Sequence, residues 1–385
     1  MSARRRPSRD WDESDVHIRP GKGSRPRTKD RPSHKNAQWG MVITKDRGRW
    51  GVVLDDAPDD ARTIVCMRAR ELGRTAIVVG DRVGVVGDTS GNPGTLARIV
   101  KLADRRSILR RTADDNDPYE RIVVANADQL LIVSSVADPP PRAGFVERAL
   151  VAAFAGGISP ILCLTKSDLT DPAPFAHEFE DLDIRIVIAG QDDDITDVRR
   201  LTRGHVTALI GHSGVGKSTL VNRLVPDADR ATGEVSGVGK GKHTSTQSVA
   251  LRLPASTALS ESASLAENTS PDTPDSEPPH GEPPRDTAHA TEDEPAAPGW
   301  IIDTPGIRSF GLAHVDPDTV IAAFEDLAEL ITDCPRGCTH MGPPADPECA
   351  LDTATGATAR RVHAIRSVLE TLRSNDEWDL NRDDS

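Results

Sequence analysis

Residues 211–219 read Gly211-His212-Ser213-Gly214-Val215-Gly216-Lys217-Ser218-Thr219. An apolar run, HVTALI, precedes them, and a helix-like segment, TLVNRLV, continues from Thr219. A loop of this kind between strand and helix satisfies the pattern G-x-x-x-x-G-K-[ST] in the context its chemistry demands. Gly211, Gly214 and Gly216 let backbone N–H groups close around a phosphate. Lys217 reaches the outer phosphates, and the Ser218 hydroxyl can ligate Mg²⁺. Residues 211–219 are therefore candidate nucleotide contacts. Lys217 is also a candidate catalytic residue, because it neutralises charge on the transferred phosphate.

Working outward, RIVVAN, QLLIVSSV, ISPILCLT and IRIVIAG are further near-continuous apolar runs, as expected of parallel strands buried on both faces. AGFVERALVAAFAGG reads as a helix between two of them. Asp303-Thr-Pro-Gly306 follows the strand-like GWII. An acid at the end of a buried strand beside such a loop serves the Mg²⁺ side, and Gly306 offers an N–H that can sense the γ-phosphate. Asp303 lies 86 residues after Lys217, but residues 254–298 contain nine prolines, ten acids and no aromatic residue. That composition reads as a disordered acidic insert within the nucleotide domain.

Thr165-Lys166-Ser167-Asp168 follows ISPILCL and resembles the guanine-reading element Asn-Lys-x-Asp. A carboxylate there accepts from guanine N1–H and N2–H₂, a donor pair that adenine lacks. Ordinary GTPases place this element after the phosphate loop, whereas here Thr165 precedes Gly211 by 46 residues. The expected sheet is therefore circularly permuted. Between the phosphate loop and Asp303, residues 239–247 (GKGKHTSTQ) suit a switch segment in which Thr244 or Thr246 is the candidate second Mg²⁺ hydroxyl. Ile307 stands where many GTPases keep a water-orienting Gln, and His243 is the candidate substitute.

Cys334-x3-Cys338-x-His340-x8-Cys349 gathers three of the chain's five cysteines with one histidine. A Cys₃His tetrahedral Zn²⁺ site is the economical account, holding together a loop rich in Pro and Gly. Cys66 and Cys163 fall in apolar runs and read as core. Residues 316–332 and 357–375 look helical.

Residues 38–105 hold short β-branched runs separated by Gly, Asp, Asn and Pro, the pattern of a β-sandwich or small barrel. Residues 1–37 carry eleven basic against five acidic side chains and almost nothing to bury, so they read as a disordered basic arm. The chain of 385 residues has 47 Lys and Arg against 60 Asp and Glu, a net charge of −13 that argues against a simple nucleic-acid binder. It has no apolar run long enough to cross a membrane and no apolar core behind its N-terminal arginines. A cytoplasmic protein without a disulfide framework is expected.

With these motifs in this order over residues ~38–375, the chain resembles the RsgA/YjeQ family of circularly permuted, small-subunit-dependent GTPases. The resemblance implies a multi-domain fold. An all-β OB-fold barrel (38–112) comes first, then an α/β circularly permuted P-loop GTPase domain (113–315), then a small helical zinc-binding domain (316–385). It further implies GTP hydrolysis stimulated by the 30S ribosomal subunit and its 16S rRNA in late subunit maturation, by a monomer using Mg²⁺ with GTP and one structural Zn²⁺ per chain. Three departures stand out: Thr165 in place of Asn, a metal-ligand spacing unlike the usual Cys-x4-Cys-x-His-x5-Cys, and the extra residues 254–298. A P-loop kinase or ATPase acting on a small molecule, or an RNA-binding module with a degenerate nucleotide pocket, are the competing readings.

Overall fold

The computed structural model describes residues 33–56, 62–111, 121–226, 248–254, 299–304, 310, 312 and 315–373. Most of the expected basic arm and acidic insert lies outside the described residues, as do His243, Thr244, Thr246, Gly306 and Ile307. The elements below belong to the compact unit Asn36–Ser385.

Alternation of apolar and polar residues builds the first five strands: β1 (Gln38–Asp46), β2 (Arg49–Leu54), β3 (Ile64–Arg68), β4 (Arg82–Gly87) and β5 (Ala97–Leu102). β1 pairs antiparallel with both β2 and β4, β2 with β3, and β4 with β5, while β3 and β5 run parallel. The order 1-2-3-5-4-1 closes an OB-like barrel, which leaves no free edge. Val42, Trp50, Val52, Ile64, Cys66, Val83, Val85 and Ile99 fill it. Trp50 Nε1 finds the Ile77 carbonyl at 3.2 Å, so its one polar atom is satisfied.

The run RIVVAN departs from expectation. It forms β7 (Arg121–Ala125), paired antiparallel with β6 (Ile108–Arg111), not a strand of the parallel sheet. A bridge from Val124 to Val79 ties this hairpin to the barrel. Val124 is fully buried there, so the apolar run reflects burial and not parallel pairing.

The central sheet comprises β8 (Gln129–Ser135), β9 (Ser159–Thr165), β10 (Arg185–Ile188), β11 (Val206–Ile210), β12 (Val249–Arg252) and β13 (Trp300–Asp303). Their order is β10-β9-β8-β11-β13-β12, all parallel except β12. Successive residues serve opposite faces. Leu130 and Ile132 pack in the core under α1 (Ala143–Ala155), whereas Leu131 and Val133 pack under α3 (Thr196–Thr202) and α4 (Lys217–Leu224). A short α2 (Ala173–His177) follows β9. Thr44 of β1 pairs with Val249 of β12, so barrel and sheet share one hydrogen-bonded ladder.

The expected helical stretch 316–332 is two helices, α5 (Pro317–Ile321) and α6 (Glu325–Ile331). Asp316 caps α5 and Pro317 occupies its first turn, as proline can there. The chain then turns so that Phe324 packs edge-on against Phe154 of α1, ring centroids 5.0 Å apart. The last helix, α7 (Gly356–Arg373), lies against α1, where Ser367 Oγ donates to Glu147 at 2.9 Å. Cys66 and Cys163 are fully buried, and burial pushes both thiols up to about 12.

Candidate nucleotide site and metal centre

The loop from Gly211 to Gly216 joins the end of β11 to the start of α4. Gly216 caps that helix with φ +90°, in the left-handed region that glycine enters without strain. The first turn of α4 therefore opens with Lys217, Ser218 and Thr219, where free N–H groups and the helix dipole favour an anion. Ser218 and Thr219 are exposed, and Lys217 is mostly buried.

Lys217 Nζ donates to Asp303 Oδ1 and lies 3.4 Å from the Thr304 carbonyl. Two residues 86 positions apart meet because β11 and β13 are parallel neighbours, with Leu209 opposite Asp303. Thr304 Oγ1 donates to the Leu209 carbonyl and fixes the end of β13. A hydroxyl at Ser218 and a carboxylate at Asp303 form the hard-oxygen set that suits Mg²⁺.

Thr165 ends β9, two strands from β11 across β8. It is buried, and its hydroxyl donates to the Val215 carbonyl at 2.6 Å, with the Ser134 carbonyl at 3.3 Å. Thr165 thus supports the phosphate loop from behind. Lys166 stands at φ +60° and its ammonium donates to the Asp138 carbonyl. Ser167 donates to Asp193 Oδ2 at 2.5 Å, and Asp168 is exposed. The sheet therefore brings the segment 165–168, the loop 211–219 and Asp303 to one end of its strands.

Cys334, Cys338, His340 and Cys349 form a second constellation, their ligand atoms all within 4.8 Å of one another. Cys334 Sγ lies 3.5 Å and Cys349 Sγ 4.0 Å from His340 Nδ1. Tetrahedral ligands at Zn–S of about 2.3 Å and Zn–N of about 2.0 Å stand about 3.5–3.8 Å apart, so the four fit such an ion. The His340 Nε2 is 2.6 Å from Asp318 Oδ1 of α5, an arrangement that leaves Nδ1 for the metal. Ala350 N donates to Cys334 Sγ at 3.3 Å, His340 N to Cys338 Sγ at 3.4 Å, and Arg366 to Cys349 Sγ at 3.7 Å. Such donors favour thiolates. Burial, aided by neighbouring Cys349 and Cys334, pushes the Cys338 thiol up to about 12. A divalent cation would offset that cost.

Asp318, Asp193, Arg223 and Arg366 were invisible to motif reading. Asp318 lies 22 residues from His340, and no local pattern announces the pair.

The site and topology define a circularly permuted P-loop GTPase with an OB-like barrel and a C-terminal Cys/His cluster. The model of the RsgA GTPase family matches residues 102–266. A small ribosomal subunit biogenesis GTPase RsgA of Paraburkholderia xenovorans is 31% identical over 361 residues, covering 90% of this chain and 96% of its own. The RsgA of Chlorobaculum parvum is 28% identical over 349 residues, covering 87% and 98%. The chain belongs to the RsgA family. In fold it is similar to YloQ, a circularly permuted GTPase, with a TM-score of 0.55 at 19% identity over 89% of this chain and 97% of that one. YjeQ from Thermotoga maritima gives a TM-score of 0.56 at 19% identity, over 88% and 99%. Among the described residues no helix is long and apolar enough to cross a membrane.

Proposed function

We propose that this chain hydrolyses GTP in the cytoplasm while bound as a monomer to the 30S ribosomal subunit, in late maturation of that subunit. The convergence of Lys217, Asp303 and the 165–168 segment at one end of the sheet carries this reading. Backbone N–H groups of residues 211–216 cradle the phosphates, and Lys217, leaving its partner Asp303, neutralises the β- and γ-oxygens. Ser218 and Asp303 would hold Mg²⁺, with Thr244 as the further hydroxyl, and the bound ion would supply charge neutralisation to the phosphates. Gly306 senses the γ-phosphate and His243 orients the attacking water. Asp168 reads guanine. Cys334, Cys338, His340 and Cys349 would hold Zn²⁺, which would fix the loop between α6 and α7, and 16S rRNA meets the barrel and the basic arm. Boundaries at 38, 113 and 316 delimit barrel, GTPase domain and zinc domain, with the insert at 254–298. The deciding experiment is GTP turnover measured alone and with purified 30S or 50S subunits. Stimulation by 30S alone supports the reading, and equal turnover in all three conditions refutes it.

Asp168→Asn should weaken GTP binding by about 10–100-fold, the cost of losing hydrogen bonds to a charged acceptor. It should also raise affinity for the xanthine nucleotide, whose C2 carbonyl accepts from the new amide. Competition titration with both nucleotides reads the shift, and an unchanged base preference rules out this role for Asp168.

Residues 1–37 carry a net +6 just before the barrel, against −9 in the insert. Phosphate contacts release counterions, so affinity gained through such an arm falls steeply with salt. Deleting residues 1–37 should lower 30S affinity and flatten its salt dependence while intrinsic turnover stays unchanged. Sedimentation across a salt series tests this; an unaltered slope would leave the arm no part in binding.

A further inference from the structure

The loop after β10 belongs to no motif read from the sequence, yet neighbouring elements converge on it. β9 and β10 are parallel neighbours, with Leu164 opposite Ile188, so this loop and the 165–168 segment leave the sheet side by side. Asp193 Oδ2 accepts from Ser167 Oγ at 2.5 Å and from Gly190 N at 2.7 Å. On the other side Arg223 of α4 donates through Nη1 to the Gly190 carbonyl at 2.7 Å and through Nη2 to the Asp193 carbonyl. Arg199 of α3 in turn donates to the Arg223 carbonyl at 3.0 Å. A Cβ at position 190 would stand 2.2 Å from Ser167 Oγ and 2.7 Å from Asp193 Oδ2, so any side chain there must displace this pair. The Ser167 hydroxyl, the Gly190 N–H and the Arg223 charge hold the Asp193 carboxyl below its usual range, so it stays an anionic acceptor at neutral pH.

We propose that Asp193 is a positioning residue for guanine selectivity. By fastening Ser167 to Gly190 it fixes the turn that carries Asp168, one residue beyond Ser167. Arg223 ties this cradle to the helix that begins with Lys217, so base and phosphate sites keep one register. The inference rests on the reading of Asp168 as the guanine acceptor. A loosened cradle misaligns that acceptor but leaves the phosphate loop in place, so affinity for the guanine nucleotide falls while the chemical step does not.

The test uses the full chain and compares GTP and ATP dissociation constants, with single-turnover hydrolysis at saturating GTP, for Asp193→Ala, Gly190→Ala and Asp193→Asn. Asp193→Ala and Gly190→Ala should raise the Kd for GTP about tenfold, the scale of one hydrogen bond to a charged group. The Kd for ATP and the saturated rate should hold. Asp193→Asn should bind GTP nearly as the parent does, because its amide oxygen can accept both bonds. A parental GTP/ATP ratio in Asp193→Ala overturns the proposal. So does an equal loss of both affinities, which marks a general structural defect. Asp168→Asn in parallel separates the two readings. A xanthine shift there with a silent Asp193→Ala removes only the positioning role. No shift there removes the guanine reading and the proposal with it.

Discussion

Lys217→Ala is expected to lower GTP turnover by about a hundredfold or more, the scale seen when one preorganised charge donor is taken from a transition state. The ammonium that would meet the outer phosphates is gone, and Asp303, now paired with Lys217, keeps its carboxylate beside the vacated position. In the loaded site that carboxylate would serve Mg²⁺, so the missing attraction to the outer phosphates is what lowers turnover. Lys217→Arg should recover little, because a planar fork does not replace a compact ammonium inside a tight loop. Binding of a fluorescent GTP analogue and phosphate release report the effects on affinity and on turnover separately. Near-parental hydrolysis in Lys217→Ala would remove the phosphate-loop assignment.

Cys334→Ser should reduce zinc from one ion per chain to a small fraction and loosen the C-terminal region. Structural zinc sites return about 10–16 kcal/mol on metal binding, which for a loop poor in apolar contacts is folding energy. The loop between α6 and α7 has such a composition: Pro335, Gly337, Gly342, Pro343 and Pro344 stand in it, and four ligands converge on its middle. Loss should be confined, since α7 keeps its packing on α1 and Phe324 its contact with Phe154. Hydrogen exchange should therefore rise in residues 332–353 while GTP affinity is unchanged. Metal analysis giving one zinc in Cys334→Ser, or exchange unaltered in that loop, contradicts the assignment.

What the chain discloses in its sequence is whatever its chemistry packs into a few adjacent residues. The phosphate loop needs glycines, a lysine and a hydroxyl in one turn, so residues 211–219 were readable at once. The permutation was readable too, because the order of two motifs requires it. Partners set by tertiary packing were not. Thr165 looked like a weakened base contact, but its hydroxyl serves Val215, fifty residues away. Arg223 and Gly190 are 33 residues apart, Ser167 and Asp193 26, and either pair reads locally as ordinary surface. RIVVAN misled for a related reason. Burial on both sides gives one composition whether the neighbours are parallel strands or a hairpin partner.

The permuted strand order also sets when the protein becomes able to bind its ligand. As the chain leaves the ribosome, β8, β9 and β10 are consecutive and adjacent in the sheet, so the half that carries residues 165–168 can assemble from local contacts. β11 must then reach back to β8, pairing Thr207 with Gln129, and β13 arrives last, with Thr304 bonding Leu209 across 95 residues. Lys217 cannot meet Asp303 until nearly four fifths of the chain has been made. A growing chain therefore carries an unfinished pocket through most of its synthesis, and a complete one announces that the whole central sheet has closed.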